Sequence, residues 1–327
     1  YNGFLGDKAL GGTFTLVVKK PKKGETSAAA TLTKVDPATG KRVKVSGSVD
    51  VTTGICADGL AGLQLNATGV GGKLGEVPVQ GAVDAAKAKD QTTLDLMNGF
   101  DKSVYSVVLK DANGSCALLT ATFSKKGKVK VAGTVDGVKI SCSAQMSVGD
   151  KLCAVPFAYA KPKKEIWVSG VLWFDRETKA LVDVTGVGAG VVPTAFGDAS
   201  APASGEYRFL MAEADVLASV PNAISNTMYE VKATFDGKKY DAGKAAKVKY
   251  DKKTSTLTVD TSKGTDVSGL KLKYSKGAIS GSFTVYEVKD EKLVKNKFTV
   301  TGVIVDGVGY GLATNKKLEP IPVMLGK

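Results

Sequence analysis

Hydrophobic and polar residues alternate along most of this chain in short runs, and glycine, asparagine or aspartate separates one run from the next. Alternation with a period of two is typical of a β-strand with one buried face. Five runs in close succession predict an antiparallel meander, at residues 104–110, 116–123, 128–135, 138–146 and 152–159. Asp136-Gly137, after the third run, is a dipeptide typical of a two-residue hairpin turn. The pattern therefore predicts a protein built from β-hairpins.

Further runs of the same kind lie on both sides of this meander. They predict strands at 12–20, 41–50, 60–68, 76–83, 166–175, 181–186, 229–235, 246–250, 256–260, 269–274, 278–288, 297–305 and 309–314. The segment 21–40 contains two prolines and a lysine cluster and is interpreted as an exposed excursion, and 69–75 as a turn. Helical character is confined to 92–97 and to 207–220, which Pro221 ends.

One phrase recurs in these strands: a β-branched or aromatic stretch interrupted by one glycine next to a small hydroxyl residue. Copies lie at 44–50, 130–136, 279–283 and 300–304. Repetition of one supersecondary unit is a signal about architecture. We predict an all-β fold of antiparallel meanders that form β-sandwich or barrel-like units, with at most one or two short helices.

A break in the pattern suggests the domain organisation. Residues 187–206 are rich in glycine, alanine, proline and serine and have no periodicity, which is typical of a linker or long loop. We predict an N-terminal β-domain at 1–198, either undivided or composed of two sub-units at 1–100 and 101–198, and a C-terminal β-domain at 199–327. The chain begins at Tyr1 instead of methionine, which suggests a processed form or a fragment of a larger precursor.

Four cysteines, Cys56, Cys116, Cys142 and Cys153, allow two disulfides in one of three connectivities. Alternatively, all four are small buried apolar residues. A hairpin turn at 148–151 would place Met146 opposite Cys153 and leave Cys142 too far along the ladder to bridge. A disulfide between Cys142 and Cys153 is therefore disfavoured, and the cysteine spacings do not match a metal site.

The formal net charge of +13 is a weaker indication of nucleic-acid binding than its size suggests. Only Arg42, Arg176 and Arg208 among the 45 basic residues are arginines. Nucleic-acid sites depend on the planar arginine fork, which lysine does not reproduce. Scattered lysines solubilise β-hairpins and protect sheet edges. Anionic glycans or a negatively charged cell envelope are better candidate partners than nucleic acid.

The absence of histidine excludes Ser-His-Asp and Cys-His hydrolases. No phosphate-binding loop or dinucleotide-binding glycine motif is present. Acidic residues at strand ends, such as Asp175, Glu177, Asp183 and Asp306, could form a carboxylate pair, but hairpin turns need aspartate there anyway. No apolar run approaches the length needed to cross a bilayer. We predict that the protein is not an enzyme and has no cofactor and no metal site.

Both tryptophans lie in the run 166–175 and, six residues apart, point to the same face of one strand. A tryptophan pair of this kind is a candidate platform for sugar rings. The alternative is that Trp167 and Trp173 fill the core between two sheets.

The glycine-interrupted segments at 281–286, 298–311 and 125–133 resemble the β-repeat regions of large secreted or cell-surface proteins in the planctomycete and verrucomicrobial bacterial lineage. The resemblance covers about half of the chain and is one of structural style, so it brings no catalytic residues. It implies an extracytoplasmic location and a scaffold, adhesion or matrix role.

These observations lead to one functional prediction and one alternative. We predict an extracellular or cell-surface structural protein that self-assembles, as homo-oligomer or polymer, into a surface layer, filament or matrix. An open sheet edge can accept a strand from a partner. The apolar ends of the chain are candidate assembly segments, with Tyr1, Phe4 and Leu5 at one end and Ile321, Val323 and Leu325 at the other, unless they cap their own sheets. The alternative is a non-catalytic module that binds glycans or polyanions.

Overall fold

The computed structural model describes residues 1–5, 12–35, 42–67, 69–84, 90–110, 116–135, 137–161, 166–185, 192–200, 205–211, 230–235, 239–242, 248–251, 256–259 and 267–326. Strands make up most of these residues, and the one α-helix among them is α1, Gln91–Gly99. The predicted all-β fold with few short helices is confirmed.

Eight strands precede α1. They are β1 (Asn2–Leu5), β2 (Gly12–Val18), β3 (Ser27–Val35), β4 (Arg42–Asp50), β5 (Cys56–Asp58), β6 (Leu63–Leu65), β7 (Gly69–Leu74) and β8 (Val77–Asp84). These strands and their connections contribute to one apolar core, which includes Phe14, Leu16, Leu32 and Leu60. Asp90 caps α1, since its side-chain oxygen accepts a hydrogen bond of 2.8 Å from the Thr93 amide.

Nine strands follow α1. They are β9 (Val104–Lys110), β10 (Cys116–Ser124), β11 (Lys128–Val135), β12 (Val138–Gln145), β13 (Ser147–Val148), β14 (Leu152–Lys161), β15 (Ile166–Asp175), β16 (Leu181–Thr185) and β17 (Val192–Asp198). A five-stranded sheet has the order β12-β11-β10-β9-β17, so its first four strands are the first four runs of the predicted five-run meander, and the fifth run, β14, lies in another sheet. β13–β16 join β1–β8 instead in a twelve-stranded sheet, through the pairing of β13 with β8.

The five-stranded sheet, β14–β16 and α1 share one apolar core, and we call this unit the sandwich. Its centre is a group of aromatic rings from Phe100, Tyr105, Phe123 and Phe174, with centroids 4.8–5.7 Å apart. Most pairs meet edge to face, the arrangement that aromatic rings prefer. The sandwich therefore has a packed interior of its own.

Ten strands complete the described chain. They are β18 (Gly205–Met211), β19 (Glu230–Phe235), β20 (Lys239–Ala242), β21 (Val248–Asp251), β22 (Thr256–Val259), β23 (Val267–Ser275), β24 (Ala278–Lys289), β25 (Lys292–Val305), β26 (Val308–Thr314) and β27 (Ile321–Gly326). Eight of them close into a barrel, β18-β19-β20-β23-β24-β25-β26-β27, and β21 pairs with β22 in a separate hairpin. Buried side chains such as Phe209, Phe283, Phe298 and Ile304 fill the barrel. Among the described residues no strand before β18 pairs with a barrel strand; the boundary near residue 198 itself stays a prediction.

Steric crowding explains why glycine occupies the central position of the recurring phrase. A methyl group on Gly133 would overlap the Leu118 carbonyl oxygen of the neighbouring strand, and one on Gly281 would overlap the Lys271 carbonyl oxygen. The glycines at 47 and 302 also lie against a neighbouring backbone carbonyl. The phrase therefore marks places where strands approach closely, a common reason for glycine within a strand.

Several boundaries differ from the prediction. Residues 205–211 form β18 instead of the start of a helix, because Phe209 and Met211 face the barrel interior and the strand pairs with β19 and β27. The rest of the predicted helix, 212–220, lies outside the described residues. The predicted linker contains β17, and the predicted excursion and turn contain β3 and β7. In β3 the buried positions include Ala28 and Ala30, which makes the alternation hard to recognise.

The cysteine register also needs a correction. Cys153 lies opposite Val148 and not Met146, because the Gly149 amide bonds to the Leu152 carbonyl and shortens the turn. None of the four cysteines forms a disulfide. Burial raises the pKa of Cys142 and of Cys153 to about 11, so both side chains stay neutral thiols at ordinary pH.

Candidate functional site

Asp175 and Asp306, two of the candidate carboxylates for a glycosidase, accept hydrogen bonds from backbone amides in turns. Asp175 Oδ1 accepts hydrogen bonds from the amides of Thr178 and Glu177, at 2.7 and 3.0 Å, and the Thr178 bond contributes most to a lowered pKa of Asp175. Asp306 accepts a hydrogen bond from the Asp198 amide in a separate turn. Within the described ranges, no group of three or more cysteine, aspartate or glutamate side chains is placed to hold a metal.

Trp173 lies inside the protein. Its ring is 5% exposed and packs with Ala154 and Val171, and its Nε1 donates a hydrogen bond of 2.6 Å to Thr185 Oγ1. This position corresponds to the core-filling alternative and leaves no open face for a sugar ring. The side chain of Trp167 lies outside the described part of the structure.

The two candidate assembly segments are paired on both edges. β1 pairs with β2 and β8, and β27 pairs with β26 and β18. The side chains of Leu5, Ile321, Val323 and Leu325 are buried. The Tyr1 hydroxyl donates to the Asn66 carbonyl, and the Phe4 side chain lies outside the description. Both segments would have to leave their own sheets before a partner could use them.

The sandwich contacts the barrel through strands that are buried on both faces. On β9, Tyr105, Val107 and Leu109 face the sandwich core, whereas Val108 faces the barrel. An apolar contact joins the two units, formed by Val108, Cys116, Leu118, Val303, Val305 and Leu312. Residues distant in sequence therefore meet at one interface.

One end of this interface is closed, and we call it the clasp, defined by Asp198, Ala199, Tyr274, Gly277 and Asp306. The Asp306 amide donates to the Asp198 carbonyl at 2.9 Å, and the Asp198 amide donates to Asp306 Oδ1 at 3.1 Å. The Tyr274 hydroxyl donates to the Ala199 carbonyl. These bonds fix two barrel hairpins against the end of β17.

Gly277 allows the close approach at the clasp. Its φ is 79°, and a methyl group there would lie 2.7 Å from Ala199 Cβ and 3.1 Å from Val104 Cγ1. Both the backbone conformation and the lack of space therefore favour glycine.

The other end of the interface is open and holds a cavity of ≈ 410 Å³, which we call the apolar cleft. The sandwich contributes Val108, Lys110, Cys116 and Leu118 to its lining, and the barrel contributes Leu210, Met211, Tyr310, Gly311, Leu312, Pro322, Val323 and Met324. Pockets of this size, mostly apolar and located between two units, are typical ligand sites.

Strand register explains the two walls. On the barrel, Leu210, Met324 and Tyr310 are consecutive cross-strand partners and stand in one row. On the sandwich, Lys110 lies opposite Cys116, next to the Val108 and Leu118 pair. Neighbours on one face of a sheet lie about 5 Å apart, so each row is a continuous surface.

Of the described residues that line the apolar cleft, Lys110 is the only charged one. Its side chain is exposed, whereas Leu118 is 2% exposed and forms part of the inner wall. The cleft thus combines an apolar interior with one positive charge at the solvent side.

A second cavity is larger and more polar. It measures ≈ 540 Å³ and lies between β2 and β3 on one side and β12 and β14 on the other. Its lining includes Thr13, Thr15, Thr33, Arg42 and Ser143. Hydroxyl groups and a guanidinium can bind polyhydroxyl or anionic ligands.

β24 and β25 extend beyond the barrel as a two-stranded hairpin, residues 286–297, which we call the arm. β23 pairs with β24 only up to Val285, and β26 pairs with β25 only from Thr299. In the arm Val288 lies opposite Leu293. Among the described strands, none pairs with either outer edge of the arm.

Comparison with protein-family models, with curated proteins and with solved structures finds no match for this chain. No helix in the described ranges combines the length and the apolar character needed to cross a bilayer. The geometry itself is therefore the basis for a functional proposal.

The apolar cleft was missed in the sequence because its walls come from five different strands. One signal was present: residues 116–121 read Cys-Ala-Leu-Leu-Thr-Ala and are nearly continuous in small and apolar residues. Such a run is typical of a strand buried on both faces. β10 is buried on both faces, which predicts that a second unit covers this sheet.

Proposed function

We propose that the chain is a non-catalytic structural protein of the extracellular space or cell surface, which assembles with copies of itself into a layer, filament or matrix. The arm is the observation that carries this proposal. An isolated two-stranded hairpin is only marginally stable in water, and its edges present unpaired backbone groups to another strand.

The side chains of the arm suit a contact with protein. Val288 and Leu293 are half-buried neighbours on one face. In the next pair on that face, the Lys295 Nζ lies 6.0 Å from the centroid of the Tyr286 ring. An apolar pair beside an aromatic ring is a small anchor of the kind found at interfaces. The arm thereby replaces the chain ends as the proposed assembly element.

Other features support the same class of function. The carboxylates of Asp175 and Asp306 are engaged in turns, which leaves them less suited to catalysis. The glycine-interrupted strands resemble the repeat regions of secreted or cell-surface bacterial proteins, and this resemblance supports the proposed location. Exposed lysines are consistent with contact to an anionic cell envelope.

The test is the size of the protein in solution, by light scattering with negative-stain microscopy at about 50 mM and about 500 mM salt. We expect an oligomer or polymer that survives high salt, because strand addition depends on backbone hydrogen bonds and apolar burial. The double variant Val288→Lys, Leu293→Lys should give a monomer.

Val182→Lys is the matched control, since Val182 is 45% exposed on the outer strand β16. It should leave the assembly unchanged. A wild-type protein that is monomeric at both salt concentrations overturns the proposal. Loss of assembly in the control but not in the arm variant would move the contact to β16.

The polar cavity supports a second candidate function, a non-catalytic module for glycans or polyanions. Arg42 there is one of only three arginines and is exposed beside three threonines of the lining. A polyanion should bind more weakly as salt rises, and Arg42→Gln should weaken it further. Heparin retention measured against salt concentration tests this alternative.

A further inference from the structure

We propose that the apolar cleft binds a molecule with a single alkyl chain and an anionic head, such as a free fatty-acid carboxylate, with the head at Lys110. This inference is independent of self-assembly. It rests on the shape, the lining and the charge of the cleft.

The cleft is lined by a row of side chains from each of the two units. Leu210, Met324 and Tyr310 stand in one row on the barrel, opposite Val108 and Leu118 on the sandwich. At ≈ 410 Å³ the space is at the lower end of typical ligand pockets, which suits one alkyl chain better than two.

The chemistry of the wall suits a flexible chain. Met324 and Cys116 belong to this wall and have polarizable sulfur atoms, and methionine adapts to irregular apolar shapes. Met324 is 40% exposed, so apolar surface continues to the mouth of the cleft. Water in contact with this surface is less favourable than an alkyl chain.

The charge at the mouth selects the head group. Among the described residues of the lining, Lys110 is the one charged side chain, and none of them carries a carboxylate. An anionic head can remain in contact with solvent beside the exposed ammonium while the chain is buried. A charge-assisted hydrogen bond of this kind adds affinity and orients the ligand.

The experiment measures binding of dodecanoate and of the neutral analogue dodecanol, by isothermal titration calorimetry or by displacement of a dansyl-labelled undecanoate. We expect saturable binding of one dodecanoate per chain. Lys110→Gln should weaken the binding of dodecanoate about five- to tenfold. It should leave the affinity for dodecanol within about twofold of the wild-type value. Met324→Trp should remove binding of both, because the larger ring fills the cleft.

Lys139→Gln is the matched control, since Lys139 is an exposed lysine on β12 that does not belong to the cleft lining. It should change neither affinity. The urea midpoint of each variant shows that it is folded.

The proposal is overturned if dodecanoate does not saturate, if Met324→Trp binds normally, or if Lys110→Gln and Lys139→Gln act alike. Binding to diacyl lipid vesicles without binding to dodecanoate would also overturn it, in favour of a membrane surface. Light scattering on the same samples reports assembly separately, so either proposal can fail alone.

Discussion

The two ends of the interface between sandwich and barrel have opposite character, and β9 runs from one end to the other. At the clasp, small residues and backbone hydrogen bonds bring the units into contact. At the apolar cleft, a cavity of ≈ 410 Å³ lies between the two units. Along the outward face of β9 the residues change from Ser106 through Val108 to Lys110 in the same direction. The outward-facing side chains of β9 thus become larger from the clasp, where the two units are in contact, to the apolar cleft, where the interface is open.

The largest expected effect breaks the clasp by steric overlap. Gly277→Ala should lower the free energy of unfolding by about 3 kcal/mol, because it adds overlap with Ala199 to the cost of a left-handed backbone. Urea unfolding followed by circular dichroism measures this.

Gly307→Ala is its matched control, since Gly307 has a φ of 80° and no heavy atom within 4 Å of the added methyl. Gly307→Ala should lower the free energy of unfolding by only about 1 kcal/mol. Equal losses for the two variants would show that the backbone conformation alone, and not the contact, requires glycine at the clasp.

A smaller effect is expected when one hydrogen bond of the clasp is removed. Tyr274→Phe keeps the ring but leaves the Ala199 carbonyl without the hydroxyl donor. The free energy of unfolding should fall by about 1 kcal/mol, again measured by urea unfolding. Tyr286→Phe in the arm is the control and should change stability by less than about 0.5 kcal/mol. No difference between the two would mean that water replaces the lost donor.

The smallest effect on stability is expected at the apolar cleft. Met324→Trp places a larger side chain into existing space, so the free energy of unfolding should change by no more than about 0.5 kcal/mol. A loss as large as that of Gly277→Ala would show that the cleft is too tight to hold a ligand. Together Gly277→Ala, Tyr274→Phe and Met324→Trp compare how much the free energy of unfolding depends on packing at the clasp and at the apolar cleft.

The strands predicted best are those with both alternation and a strong turn. Residues 128–135 and 138–145 form a hairpin around Gly137, whose φ is 78°, as Asp136-Gly137 indicates. β3 and β7 were missed because alanine and glycine occupy many of their positions. Those residues carry little hydrophobic contrast, so the period of two is faint.

The candidate sites were harder to predict than the strands. The position of Trp173 is decided by which sheet covers its face, and the pairing of β27 is decided by closure of the barrel. Neither depends on the residues nearby in sequence. The arm is likewise visible only when the lengths of β24 and β25 are compared with those of β23 and β26.

The sequence by itself determined the all-β class, most strand positions, the glycine-based turns and the exclusion of histidine chemistry. These follow from local backbone preferences and side-chain alternation, which act over a few residues. Only the tertiary structure decided which strands are buried on both faces, which edges are closed, and that residues near 110, 210, 310 and 324 surround one cleft. The reason is that strand register and barrel closure join residues far apart in the chain, and local pattern carries no record of those partners.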